Sequence, residues 1–258
     1  MKILITPYSA FDYLCDEPYY VQNIGHLKCP TLREIRKITY NTFLYYANML
    51  SCTLGDYLKI HNLQDKYNQL SDEEKEKNTL FFLLFYSNTN LLFNILSAFI
   101  VEEIIFNDKT STFEIFESKG DKKEKIGHIG NDNFEEFREQ MQYILGTKVV
   151  EAKEQKFKNK LAQKMFDKLQ KHAKEHKRNS DENYCLDNMI KKYCTHNKVG
   201  INILNVWDMT YYQFMQMFNE YCTGRQCDFN DMMAANTFSY KKSTDYKPLE
   251  YMKKINID

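Results

Sequence analysis

The chain has 258 residues with 35 basic and 35 acidic side chains, so no global field recruits nucleic acid or a membrane surface. Apolar residues make up 43% of it, which excludes wholesale disorder, and the length suffices for one large or two modest domains. Only 8 glycines and 4 prolines argue against a turn-rich sandwich or barrel and for a soluble, largely helical protein.

Residues 1–28 begin with a strand-like run, Ile3 to Thr6, and then turn irregular and aromatic. The start lacks the long apolar core of a signal peptide. Seven irregularly spaced cysteines (Cys15, Cys29, Cys52, Cys185, Cys194, Cys222 and Cys227) read as reduced thiols of a cytoplasmic protein. Thr31 and Glu34 have capping-box spacing, each placed to satisfy a free backbone N–H beside the other. Ile35, Ile38, Thr42, Tyr45, Tyr46 and Met49 then mark the buried face of one helix ending near Leu50. Ser71 and Glu74 repeat the cap before a helix running through Leu80 to Tyr86, and a third helix starts after Thr89 or Asn90. Leu80 to Val101 is long enough to span a membrane, but Ser-Asn-Thr-Asn sits at its centre. Two buried helices meeting at a polar break explain it better.

The period then changes. Ile104 to Phe106, Thr112 to Phe116 and Lys125 to Ile129 alternate and read as a small antiparallel meander. A helix from Asn133 to Leu145, capped by Asn133 with Glu136, is available to cover it. From Lys148 to Arg178 lysines dominate around a thin seam of Phe157, Leu161, Met165 and Leu169, and residues 178–182 read as a linker. The rest is a cluster of short helices at Asp187 to Lys192, around Ile203 to Tyr221, at Asp228 to Asn236 and from Pro248. In Ile203 to Tyr221 the one tryptophan, Trp207, precedes the candidate caps Asp208 and Thr210, and Tyr211, Phe214, Met217, Phe218 and Tyr221 form an apolar stripe. The domain reading is 1–147 helical with a meander, 148–182 basic helix and linker, and 183–258 helical.

Little of this looks catalytic. His172-Ala-Lys-Glu175-His176 matches the inverted zincin pattern, yet it lies on a solvated, lysine-rich helix where two histidines four apart simply continue the seam. Cys185, Cys194, His196, Cys222 and Cys227 lack any C-x-x-C knuckle, so incidental thiols are the simpler reading. The basic helix lacks interleaved aromatics to stack on bases, which leaves nucleic-acid binding as an alternative only. There is no G-x-S-x-G nucleophile elbow and no glycine-rich phosphate loop. No catalytic residue, cofactor or metal is expected.

The segments VGINILNVWDMTYYQFMQMFNEY and DFNDMMAANTFSYKKSTDYKPLEYMKKI, following a lysine-rich helix, resemble the C-terminal region of tail-assembly proteins of bacteriophages and prophages from Gram-positive hosts. LKCPTLREI (from Leu27) and NFEEFREQMQ (from Asn133) fit the same pattern, while the cysteines and the insert CTGRQC depart from it. The resemblance implies a non-enzymatic tail assembly chaperone that coats the helical tape-measure protein until tail-tube subunits displace it. On that reading Trp207, Tyr211, Tyr212, Phe214 and Phe218 are the expected partner contacts, because aromatic residues dominate interface hot spots. A structural tail or baseplate component is the alternative within the same setting. The fold expected is mainly α with a small antiparallel β-meander.

Overall fold

The computed structural model describes residues 8–120, 122–146 and 185–235. Among them are ten α-helices and two small antiparallel sheets, so the fold is α+β and mainly helical. The chain forms two compact units: Met1–Val149 with Met209–Gln213, and Val150–Asp208 with Phe214–Asp258. The strand at Ile3 to Thr6, the basic helix and its linker, and the helix from Pro248 lie outside the described residues.

The first unit opens with a hairpin, β1 (Tyr19–Val21) and β2 (Gly25–Leu27), where the sequence suggested only irregular backbone. Helices α1 (Leu32–Ile38) and α2 (Tyr40–Ser51) follow. One helix was expected from Thr31 to Leu50. It breaks at Thr39, whose φ of 72° leaves the helical region and whose hydroxyl accepts the N–H of Thr42 to start α2. That conformation is costly for a β-branched residue, and the new cap offsets part of it. Helices α3 (Leu54–Ile60), α4 (Gln64–Asn68), α5 (Asp72–Lys77), α6 (Leu80–Ser87) and α7 (Thr89–Phe99) come next. The helix capped by Ser71 and Glu74 therefore stops at Lys77 and does not run on to Tyr86. Asn78 leaves helical backbone, and Thr79 caps a fresh helix by accepting from Phe82 N–H.

Asn88 caps α7, and α6 and α7 are bent by 114° at that break. No single helix among the described residues is long and apolar enough to cross a membrane. Leu80, Phe81, Leu84 and Phe85 of α6 and Leu92, Ile95, Leu96 and Phe99 of α7 are buried in the unit's own core.

The meander forms as read: β3 (Glu103–Asn107), β4 (Thr112–Lys119) and β5 (Lys122–Ile129), in the order β3-β4-β5. Ile104 lies opposite Ile115, and Phe113 lies between Phe106 and Ile129, which puts these side chains on one buried face. The rings reaching Phe113 from the helices are Phe85 of α6 and Phe93 of α7. Helix α8 (Phe134–Leu145), expected to cover the sheet, packs against α2. Asn133 does not cap it. Its amide oxygen accepts from Gly130 N–H at 3.0 Å and its amide nitrogen donates to the His128 carbonyl at 2.7 Å, closing the turn after β5.

Arg138 explains where α8 goes. Its side chain is buried, donates from Nε to the Leu50 carbonyl at 3.0 Å and from Nη2 to the Cys52 carbonyl, and pairs with Glu135 at 2.6 Å. These carbonyls belong to the end of α2, where helical partners run out. Gln142 adds a bond to the Leu50 carbonyl at 2.9 Å.

The last piece of the unit comes from far along the chain. Thr31 and Glu34 make a capping box at the start of α1. Thr210 makes the same arrangement, accepting from Gln213 N–H at 3.1 Å while Gln213 Oε1 accepts from Thr210 N–H at 2.9 Å. The two starts are joined: Leu32 N–H donates to the Met209 carbonyl at 3.0 Å and Tyr211 N–H to the Pro30 carbonyl at 2.9 Å. Tyr212 N–H points at the Cys29 sulfur at 3.4 Å, and the rings of Tyr211 and Tyr212 meet Phe43 and Tyr13.

In the second unit, α9 (Leu186–His196) extends beyond the expected Lys192, and α10 (Tyr211–Ala235), which begins in the first unit, is a single helix. A separate helix at Asp228 to Asn236 was expected. The intervening CTGRQC contains no proline, and one interior glycine, Gly224, costs only about 1 kcal/mol against alanine. Tyr193 of α9 packs edge-on against Phe214 and Tyr221 of α10 at 5.9 and 5.7 Å.

Two outcomes follow. Arg138→Met should lower unfolding stability by roughly 1–3 kcal/mol in urea titrations, since it takes the side-chain donor from the Cys52 carbonyl and leaves the Leu50 carbonyl only the bond from Gln142; a loss below about 0.5 kcal/mol contradicts this role. Burial pushes the Cys29 thiol up from 9.0 to about 12. A folded-state pKa above the unfolded one stabilises fully below about pH 9 and loses that contribution as pH climbs towards 12. Burial raises Tyr13 to about 12 as well. The urea midpoint should therefore hold steady at neutral pH and fall above pH 9, less steeply in Cys29→Val; an equal slope in the variant contradicts the assignment to Cys29.

Candidate functional site

The five aromatic residues nominated from sequence are divided between the two units. Tyr211 and Tyr212 belong to the first unit, and Trp207, Phe214 and Phe218 to the second. Tyr212, Phe214 and Phe218 are buried, and Tyr211 is half-buried against Phe43. Trp207 is half-buried too, and its indole N–H donates to the Ile203 carbonyl at 2.8 Å.

That bond is one of several that fix the loop after α9. Asn197 Nδ2 donates to the last-turn carbonyl of Tyr193 at 2.7 Å, and Asn197 Oδ1 accepts from Val199 N–H at 3.1 Å. Asn205 Oδ1 accepts from Asn202 N–H at 2.7 Å, Asn202 Oδ1 accepts from Leu204 N–H at 2.9 Å, and Asn205 Nδ2 donates to the Gly200 carbonyl at 3.2 Å. Asparagine is suited to this because its short amide bonds backbone two or three residues away. The loop thus holds Val199, Ile203 and Leu204 at the surface, 60%, 50% and 81% exposed.

Beside it, between the end of α9 and one face of α10, runs a cleft of about 260 Å³. Val199, Met217 and Tyr221 give it apolar wall, and Lys198, Glu220, Arg225 and Asp228 its charge, with His196 at its edge. Lys198 reaches Asp228 at 3.5 Å. Tyr193 also lines it, and its hydroxyl is buried with no hydrogen-bond partner among the described residues. Burial raises the pKa of this phenol, so it is neutral and able both to donate and to accept. On α9, Asp187 is held down at about 2 by hydrogen bonds from the Cys185 thiol and from Lys191, which is 2.8 Å away.

Cys185, Cys194, His196, Cys222 and Cys227 are not brought together. No group of three or more His, Cys, Asp or Glu among the described residues is placed to hold a metal ion. Burial raises Cys194 and Cys222, which keeps them as thiols. His172, Glu175 and His176 lie outside the described residues.

Sequence reasoning missed Val199, Ile203 and Leu204 because they follow no period. The usable signal was local: aliphatic residues set between asparagines.

Residues 175–256 match the family model described as YomV second domain. The match takes in the loop, the cleft and both flanking helices. No curated protein and no solved structure matches the chain.

Trp207→Phe keeps a ring but removes the bond to the Ile203 carbonyl, at an expected cost of about 0.5–1.5 kcal/mol. Hydrogen exchange should quicken at the amides of Asn202 and Leu204 while those of α9 stay protected. Unchanged exchange in the loop would mean that the indole does not brace it.

Proposed function

We propose that this is a phage-related, non-enzymatic protein of the host cytoplasm that acts by binding other proteins during tail assembly, as a chaperone of the tape-measure protein. The observation that carries the reading is the match of residues 175–256 to the YomV second domain, a family name associated with bacteriophages. The likeness of the C-terminal segments to tail-assembly proteins points the same way. The form of the matched region supports binding as the mode of action: its open cleft is walled by Met, Tyr and Val, and its charged groups form no nucleophile–base pair. Flexible thioether and amphipathic aromatic side chains suit adaptable contact with helical clients.

Affinity capture of tagged protein from host cells during tail assembly, with mass spectrometry of the bound partners, tests this. The tape-measure protein should be recovered, and mature particles should contain none of the tagged chain. Fixed copies in purified particles would instead make it a structural tail or baseplate component, and recovery of no tail protein would remove the assembly reading altogether.

A further inference from the structure

A sharp break inside a helical stretch needs a cause, and proline, glycine or an inserted side chain is the usual one. Residues 32–51 contain neither glycine nor proline. The buried residues Leu32, Ile35, Phe43, Tyr46 and Leu50, with Thr39 between them, recur at steps of three and four straight through the break. Yet Thr39 stands at φ 72° and ψ 145°, at the edge of a region that glycine alone enters readily. Any other residue there is disfavoured by roughly five- to a hundredfold in population. Helical backbone at Thr39 carries no such penalty. The local sequence thus favours one straight helix, and the bend is held from outside.

What holds it is a strap, Met209–Gln213, which belongs to the first unit. The Met209 carbonyl accepts from Leu32 N–H at 3.0 Å, Thr210 bridges Thr31, and Tyr211 N–H donates to the Pro30 carbonyl at 2.9 Å, which fixes the strap to the start of α1. The Tyr211 ring lies on Phe43 of α2 with 5.0 Å between centroids, and Phe43 is fully buried. In one straight helix Leu32 and Phe43 would stand about 16 Å apart along the axis. A strap that grips both through neighbouring residues therefore favours the bend.

We infer that residues 31–51 are a two-state element, bent at Thr39 while the strap is docked and one continuous helix, with Phe43 uncovered, once the strap leaves. Strained backbone kept in place by surrounding contacts recurs at switch regions. The strap opens α10, and most of that helix belongs to the second unit, so an event that shifts α10 reaches α1 and α2 through it. Straightening also gives Asn41 a bond. It is an exposed first-turn residue of α2 whose N–H has no intrahelical acceptor in the bent form, and in a continuous helix it meets the Lys37 carbonyl. A permanent corner is the contrary reading. Only in a switch does residue 39 alter how tightly the strap holds.

Thr39 is exposed, so it can be changed without opening the core. Thr39→Gly relieves the strain and keeps an acceptable cap. Thr39→Ala keeps the strain, removes the hydroxyl that accepts from Thr42 and favours helix. In amide hydrogen exchange of the full-length protein, protection at Tyr211 is read relative to β4, the middle strand of the sheet. It should rise about fivefold or more in Thr39→Gly and fall about fivefold or more in Thr39→Ala. Tyr211→Pro supplies the other half of the cycle. Proline suits the first position of a helix, so α10 keeps its start while the N–H to Pro30 and the ring on Phe43 are lost. Exchange at Asn41 should then slow about tenfold or more with α8 unchanged, and adding Thr39→Gly should restore the fast exchange.

Strap protection indifferent to residue 39, or fast exchange at Asn41 in a folded Tyr211→Pro chain, overturns the switch and leaves Thr39 a fixed corner. If Tyr211→Pro fails to fold, the two Thr39 variants decide alone.

Discussion

Leu32 donates its N–H to the carbonyl of Met209, and Tyr211 donates its N–H to the carbonyl of Pro30, so the first amide of each of two helices is satisfied by the residue before the other's cap. The first four N–H groups of a helix lack intrahelical partners, and burying one unbonded costs about 1–3 kcal/mol. Here Thr210 is buried, so water is not available to do the job. The capping boxes at Thr31 and Thr210 serve further amides, and the backbone pair between them serves the first. The partners lie far apart in the chain: Tyr212 is 183 positions from the Cys29 sulfur that accepts its N–H. Bringing such distant segments together carries a loop-closure cost, which the packing of Tyr211 on Phe43 and Tyr212 on Tyr13 helps to offset.

This pairing also gives part of the aromatic stretch near the C-terminus an internal place. Tyr211 and Tyr212 complete the first unit, Phe214 and Phe218 fill the core of the second, and Trp207 holds a loop. Each ring has an internal task. The loop that Trp207 braces exposes Val199, Ile203 and Leu204 on backbone that asparagine amides have already fixed.

The capping boxes at Thr31–Glu34 and Ser71–Glu74 were legible because they depend on spacing alone, and the meander because alternation survives in β4 and β5. The break at Thr39 was not legible. Nothing in Ile38-Thr39-Tyr40 announces a positive φ, which glycine or asparagine would ordinarily signal. Asn78 and Thr79 did carry a stop and a start, but the hydrophobic run that follows masked them. Helix α8 was placed correctly but its packing on α2 was not foreseen, because the interaction that ties the two is Arg138 on the end of α2, a pairing across 88 positions. The site suffered from the same blindness. Periodicity picks out the stripe that is buried, so the five nominated aromatics were read from a pattern whose usual cause is a core. Exposed loop residues have no period, and only the structure shows which of them are held still.

Site-resolved amide hydrogen exchange at Leu32 and Tyr211 tests the pairing most directly. First-turn helix amides ordinarily exchange fast for want of a partner. The pairing predicts strong protection at both, with the two opening together and with the same free energy, since they belong to one cooperative contact. Rapid exchange at Tyr211 beside a protected Leu32, or protection at both that responds independently to denaturant, would contradict it.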